Sequence, residues 1–387
     1  MFESYRNGLI LITMSNNDFH KKPFDEETQF KLDIYRQYLR SWLPVFLNSK
    51  KAVHRIQIFD FFAGPGCDSV GMPGSPLIAS EEIKNALGNN AGDSGQDQEI
   101  HLYLNEPDTV RCHILQHETI PKILSQNPGL KVYLAAEEFQ SLFFRHIPKL
   151  SLYNVANFVL LDQFGLKEIT QEVFQKLISL SRTDMMFFVS SSIVNRMKKD
   201  KYLNKYLPPI EEMEWEQMNG SNVTRILRTA YSRWIPPASE YYLGCFSLKR
   251  QANVYGLIFG SSHPLGINKF LEAAWKKDSL NGEANFDIDS DGIDKGAPFL
   301  FKDMDKPTKV KLFEEQLEQM LAEKSFQTNL DLYLFGLRNG MLSSHVKDAI
   351  RNLQRAKKLP EQRLDISYTA WKKQVIQTIK YQEDKQI

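Results

Sequence analysis

Three cysteines in 387 residues leave little material for covalent cross-links. Cys67, Cys112 and Cys245 are odd in number, far apart and never spaced as CxxC. That excludes a disulfide framework and a zinc knuckle. Long apolar runs are missing as well. The opening stretch GLILITM (8–14) is too short for a leader or a span, and no run approaches the ~18 residues a membrane helix needs. The chain therefore reads as a reduced, cytoplasmic protein with no membrane contact. Charge of one sign is also absent. A net charge of +1 gives no global field toward nucleic acid or anionic lipid, so any basic surface must be local. There is no internal repeat and no low-complexity tract; GNNAGDSGQDQ (88–98) is a polar surface loop.

What is present is alternation. Residues 25–47 read as a helix, with Asp25 as its cap and Leu32, Tyr35, Leu39, Trp42 and Phe46 recurring at spacings of three and four. From residue 55, apolar runs of strand length (RIQIFDFF, IHLYLNE, KVYLAAE, NFVLLDQF, MMFFVSS) alternate with amphipathic stretches. This order predicts a parallel, doubly wound α/β sheet. YYLGCFSLKRQANVYGLIFG (241–260) holds two alternating strands around a short turn, so the seven-stranded sheet is expected to end in an antiparallel hairpin. Residues 195–240 read as a helical insertion over the sheet's edge. The pattern divides into an N-terminal helical segment (1–54), a sheet domain (55–300) and a C-terminal unit (325–387). In the last, LDLYLFGLRN, a turn, a Ser-capped helix SSHVKDAIRNLQRAKKL and a possible wing RLDISYTAWKK follow the order of a winged helix-turn-helix.

The densest local signal is DFFAGPG (60–66), glycine-rich and placed directly after a strand. Glycines there imply a tight turn or a close approach to the backbone. As a GxGxxG dinucleotide fingerprint it is incomplete, because position 69 is serine. The acidic-x-Phe-x-Gly-x-Gly order resembles the first loop of class I S-adenosylmethionine (SAM) methyltransferases. SAM has a sulfonium and an ammonium and no phosphate, so an acid at the strand end helps where a pyrophosphate would be rejected. The expected cofactor loop comprises Asp60, Phe62, Ala63, Gly64, Pro65 and Gly66. Ser75, followed by Pro76, reads as the cap of the next helix. The long 64–74 loop is expected to fold over the ligand. Further strands end in Glu106-Pro107, suited to ribose hydroxyls, and in Glu137-Glu138, suited to an adenine amino group. The fourth ends in Asp162-Gln163-Phe164-Gly165. In an open parallel sheet such ends converge on one site.

Taken together, DFFAGPG…GMPGSPLIA, VLLDQFGL, SSSIVNR and HPLGINKFLEAAW resemble the three-Cys-motif partner (TcmP) family of bacterial class I SAM-dependent methyltransferases. The resemblance runs to about residue 300. It implies SAM as cofactor, a nucleobase amino group of DNA or RNA as acceptor, and a separate three-Cys-motif, radical SAM-like partner protein. Asp162, Gln163 and Phe164 would form the catalytic motif, usually Asp-Pro-Phe-Gly; here Gln163 replaces the proline, which cannot fix the same rigid turn. That departure keeps a second reading open: a catalytically silent SAM-fold subunit that binds nucleic acid or scaffolds its partner. For nucleic acid the candidates are Arg196, Lys198 and Lys199, and Lys347, Arg351, Arg355 and Lys358 on one helical face. No metal site is expected: DIDSDG (287–292) starts like an EF-hand loop, but Pro298 stands where glutamate is required. His263 reads as structural.

Overall fold

A computed structural model describes residues 22–49, 52–89, 98–162, 168–190, 208–250, 253–293 and 306–381. The sheet strands are β1 (Arg55–Asp60), β2 (Glu99–Asn105), β3 (Lys131–Ala135), β4 (Val155–Leu161), β5 (Thr183–Ser190), β6 (Tyr242–Arg250) and β7 (Asn253–Ser261). They stand in the order β3-β2-β1-β4-β5-β7-β6. The first five are parallel, and β7 runs antiparallel to both β5 and β6. This is the doubly wound sheet with a terminal hairpin that the alternation predicts. β4, at the centre, is buried along its whole length, whereas β3 at the edge has no buried residue. The strand order reverses between β1 and β4, which makes the carboxyl ends of these two strands the switch point.

Helices cover both faces. On one side lie α1 (Glu26–Leu47) and α2 (Ser75–Asn89). Asp25 caps α1 as expected, accepting from the Thr28 amide at 2.8 Å. Tyr35, Tyr38 and Trp42 of α1 pack on Phe158 of β4, in the core that also holds Ile56 and Ile58 of β1. Between β2 and β3 the chain forms α3 (Thr109–Ile114), a single π-helical turn (Leu115–Thr119) and α4 (Ile120–Gln126). The opposite face carries α5 (Phe139–Leu150) and α6 (Gln171–Ile178). Within the expected insertion, α7 (Glu212–Gln217) and α8 (Val223–Ser232) are described, and α8 packs against the β6–β7 hairpin. After β7, α9 (Pro264–Lys277) returns to the α1 side. No helix among the described residues is long and apolar enough to cross a membrane.

The C-terminal unit contains α10 (Thr308–Ala322), α11 (Asn329–Arg338), α12 (Ser343–Arg355) and α13 (Tyr368–Lys373). Phe313, Leu332, Val346 and Ile350 join the same apolar core as α1 and β1. Three sequence expectations change here. Ser343 does not cap α12; the Leu342 amide donates instead to His345 Nδ1 at 3.1 Å, and His345 is held against Trp275 with ring centroids 4.0 Å apart. The anticipated wing is partly helical, because Ser367 Oγ accepts from the Ala370 amide and starts α13 inside SYTAWKK. The returning segment then pairs Thr378 with Thr328, with the Ile379 amide donating to Gln327 O at 2.9 Å. Lys358 does not share the face of Lys347, Arg351 and Arg355. The helix ends at Arg355, Lys357 turns to φ 57°, and Lys358 pairs with Glu318 of α10.

Candidate functional site

Asp60 ends β1 at the switch point and is 2% exposed. Ser75 Oγ donates to its Oδ2 at 2.6 Å, and the Phe62 amide to its Oδ1 at 3.2 Å. Ser75 is thus the first residue of α2 and serves Asp60; its hydroxyl is directed at a carboxylate, which corrects its reading as a helix cap. Burial pushes the Asp60 carboxyl up to about 7, against the pull of these two hydrogen bonds, and Asp162 and Glu106 push it further. Three acids therefore feel one another across the ends of β1, β2 and β4.

The glycine loop is braced from several directions. Gly64 and Gly66 have φ of 61° and 96°. The Gly64 amide donates to Glu106 Oε2 at 3.0 Å and the Asp108 amide to Glu106 Oε1 at 2.9 Å. Glu106 is buried and its pKa is raised by desolvation. Each of its oxygens takes one amide and Oε1 also lies 3.5 Å from Arg111 Nε, so the freer acceptor capacity is on Oε2. A β-carbon on Gly66 would lie 2.3 Å from Thr119 Cγ2, while Thr119 Oγ1 donates to Pro65 O at 2.6 Å. The approach that demands glycine at 66 is made by protein. Asp68 collects amides from Phe24, Val70 and Met72 at 2.7, 3.0 and 2.8 Å, and Gly74 N donates to Gly66 O at 2.8 Å. The 64–74 loop, expected to fold over a ligand, is instead closed on itself and fastened to the lead-in of α1 and to the π turn.

Asn105 ties the neighbouring strand ends together. Its Nδ2 donates to Phe61 O and Glu137 O, and its Oδ1 accepts from the Glu137 amide at 3.0 Å. Ala63 N donates to Asn105 O at 2.9 Å, and the Phe62 ring lies 5.4 Å from Phe139. Glu138 caps α5 by accepting from the Gln140 and Ser141 amides, and Glu137 pairs with Arg145 at 2.5 Å. Pro107 is exposed beside Glu106.

At the end of β4, Asp162 Oδ1 lies 3.4 Å from Lys31 Nζ, and Glu27 Oε1 is also 3.4 Å from that nitrogen. Lys31 sits 4.7 Å from the Phe188 ring centroid and 5.5 Å from that of Tyr255. Burial opposes the Lys31 ammonium, but the Asp162 and Glu27 carboxylates outweigh it and raise its pKa. Burial lifts Glu27 to about 7 despite Lys31. Neither Glu27 nor Lys31 was picked out by sequence, nor was Thr119. Gln163 and Phe164 lie outside the described residues, as do Arg196, Lys198 and Lys199.

The edge as a whole gathers Asp60, Glu106 and Asp162, with Lys31 between Asp162 and Glu27 and with Arg111 Nε 3.5 Å from Glu106 Oε1. Such a set suits a cationic ligand with hydroxyls and repels a pyrophosphate. The remaining candidates settle into structural work. Asp287 accepts from the Asp291 and Gly292 amides at 2.9 and 2.8 Å, and Asp289 pairs with Arg225, so DIDSDG is a polar turn. His263 caps α9, its Nδ1 accepting from Leu265 N at 3.1 Å. No cluster of metal-ligating side chains occurs among the described residues. On the stripe of α12, Arg351 pairs with Asp348 at 2.5 Å.

Residues 287–360 match the family model of the GMT-like wHTH domain. No curated protein matches the chain. Among solved structures, it is similar to Trm1 from Pyrococcus horikoshii with S-adenosyl-L-methionine, at 13% identity and a TM-score of 0.34 over 65% of this chain. The match spans 59% of that protein's length. TYW2 of M. jannaschii in complex with AdoMet gives 9% identity and a TM-score of 0.27, over 61% of this chain and 76% of the other. A putative class I SAM-dependent methyltransferase of Listeria monocytogenes gives 11% and 0.28, over 63% and 64%.

Proposed function

We propose that this chain is a SAM-dependent methyltransferase whose cofactor lies across the carboxyl ends of β1 and β2. The observation that carries the reading is the buried Asp60 under a positive-φ glycine loop, with Glu106 bonded to the Gly64 amide of that loop. When bound, SAM supplies an electrophilic methyl group. Glu106 would accept hydrogen bonds from ribose hydroxyls through its remaining lone pairs, and Asp60 would face the ammonium of the amino-acid part. Asp162 would hold the acceptor amine, a role that the family resemblance extends to Phe164. With SAM bound, the acceptor nitrogen would gain the methyl group as the S–C bond breaks, and its surplus proton would pass to a carboxylate of this chain. Glu27, pushed up to about 7 and 3.4 Å from the same Lys31 nitrogen, is suited to take such a proton. The acceptor we favour is a nucleobase amino group, supported by the winged-helix match and by Lys347, Arg351 and Arg355 on one face of α12. A three-Cys-motif protein as partner follows from the family resemblance alone. The silent-subunit reading is favoured by one observation, Gln163 in place of the motif's proline.

Asp60 makes the cofactor reading testable by pH. In the folded protein it must lose a proton before it can face an ammonium, and its pKa is about 7. Between pH 6 and 7.5, below the ~8 of an α-amino group, SAM affinity should rise roughly five- to tenfold. Calorimetric titration at both pH values checks this, with Asp60→Asn expected to flatten the dependence. The same shift predicts the stability of the protein without SAM. A raised carboxyl pKa contributes stability that is present below the unfolded value of 3.8 and lost as pH rises through about 7. Absence of SAM binding at either pH would sink the cofactor reading.

Lys31→Met is expected to keep SAM affinity within about threefold while lowering methyl transfer at least tenfold. Its contact is with Asp162, on the acceptor side, so loss of the ammonium frees that carboxylate from its held position. Single-turnover transfer of labelled methyl to mixed DNA and RNA reads the difference. Equal rates in both proteins would remove Lys31 from the acceptor site.

A further inference from the structure

Between β2 and β3 the helix changes its winding once. α3 gives way to the π turn at Leu115, and the Ile120 amide reaches back to Leu115 O. Single π turns inside helices are rare and concentrate at functional sites. The inner side of this one has a task already: Thr119 is buried, holds Pro65 O and packs against Gly66. That task does not account for the outer side. His113, in the last turn of α3, and His117, inside the π turn, are both exposed. Their rings stand with centroids 4.4 Å apart and planes at 42°. Four residues apart, they share one side of the helix. Two imidazoles brought together in water gain little from burial. Protonation of both would set like charges side by side, which destabilises a helix. The arrangement becomes favourable when one shared cation takes the place of the protons.

We propose that His113 and His117 hold a divalent transition metal of the zinc class, and that the ion clamps the π turn. Imidazole nitrogen suits zinc, copper and nickel, whereas magnesium and calcium take oxygen ligands. Zn–N bonds of ~2.0–2.1 Å put two tetrahedrally placed nitrogens roughly 3.3 Å apart. Rings with centroids at 4.4 Å reach that separation by side-chain rotation alone. No three metal-ligating side chains converge among the described residues, so water completes the coordination. Cys112, next to His113, is half-buried, and burial pushes its thiol up, so it adds no thiolate. With one ligand before the π turn and one within it, the ion fixes the offset between the two windings. That offset is what aims Thr119 at Pro65 and Gly66. The site uses none of the acids of the cofactor edge and does not depend on the methyltransferase reading.

The test is calorimetric titration of the full-length protein with zinc chloride, paired with hydrogen exchange. Zinc is expected to bind, and His113→Ala and His117→Ala should each weaken it at least tenfold, since a single imidazole cannot chelate. Both side chains are exposed, so both variants are expected to fold. Magnesium chloride should give no heat that either substitution removes. In the wild type, zinc should slow amide exchange across residues 115–120 about threefold or more; in either variant it should leave that exchange unchanged. Zinc affinity that survives both substitutions overturns the proposal, because the ion would then sit on carboxylates or on another histidine. So does binding that leaves exchange in the π turn unaltered, because the ion would not be clamping it. SAM takes no part in these measurements, so failure of the cofactor reading has no bearing on their outcome.

Discussion

Gly66→Ala is expected to destabilise the protein by about 2–6 kcal/mol, lowering its melting temperature by several degrees, and to abolish SAM binding. Two independent effects add. The backbone at 66 has φ 96°, which an alanine adopts only with strain of ~1–3 kcal/mol. The new methyl group would also lie 2.3 Å from Thr119 Cγ2 and 2.6 Å from its Oγ1, an overlap no rotamer of alanine can relieve. Overpacking of that kind costs ~1–3 kcal/mol. Thr119 cannot simply retreat, since its hydroxyl holds Pro65 O and its residue is buried in the π turn. Adding Thr119→Ala to Gly66→Ala should recover part of the packing loss and none of the backbone strain. Thermal melts of the single and double variants separate the two contributions. A Gly66→Ala protein that melts with wild type would show that the loop is not held as described.

Glu283→Ala is the second change with a large expected effect, and it acts far from the glycine loop. Glu283 accepts from Arg225 Nε at 2.7 Å and pairs with Lys309 Nζ at 3.0 Å, joining α8 to the start of α10. Burial works to raise its pKa, yet Lys309, Arg225 and Arg228 prevail and hold it near about 2. Removing the carboxylate leaves two cations desolvated. Breaking a buried pair from one side costs ~3–5 kcal/mol, and the loss here belongs at the low end. Arg225 keeps Asp289 at 3.0 Å, and Lys309 keeps the carbonyls of Asn281 and Gly340. The contribution of a depressed carboxyl is present above its unfolded value of 4.5 and lost as pH falls through about 2. The gap between wild type and variant should therefore be full at pH 7 and narrow progressively below pH 4.5. Hydrogen exchange in α10 should accelerate more than in β1 or β4. Equal stability at pH 7 would mean the bridge contributes nothing.

The sheet was legible because parallel strands buried on both faces leave unbroken apolar runs, and NFVLL between polar turns has no other reading of comparable economy. Asp25 was legible as a cap because capping is local. Glu27 and Lys31 were not: the contact that gives them meaning reaches Asp162, 131 residues away, and nothing in an exposed-looking EETQFK announces it. The need for glycine at 66 could be read, but its cause could not. Thr119 is aimed by a π turn, and one extra residue within a helix leaves no mark on apolar periodicity. SYTAWKK misled for a different reason. Its β-branched and aromatic residues suit a strand, and a single serine cap decided for helix.

The placement of α1 has a consequence for biosynthesis. Its Asp33 pairs with Lys277 of α9, 244 residues later, and its Lys31 waits for β4. At ~5–20 residues per second, the helix leaves the ribosome roughly 10–50 s before its last partner is made. For that interval the apolar face of Tyr38, Leu39, Trp42 and Leu43 has no β7 or α9 to cover it. The nascent chain therefore displays an amphipathic helix suited to chaperones while β1, β2 and the glycine loop are already complete. A site with its floor built and its roof unplaced is a state this chain passes through during its synthesis.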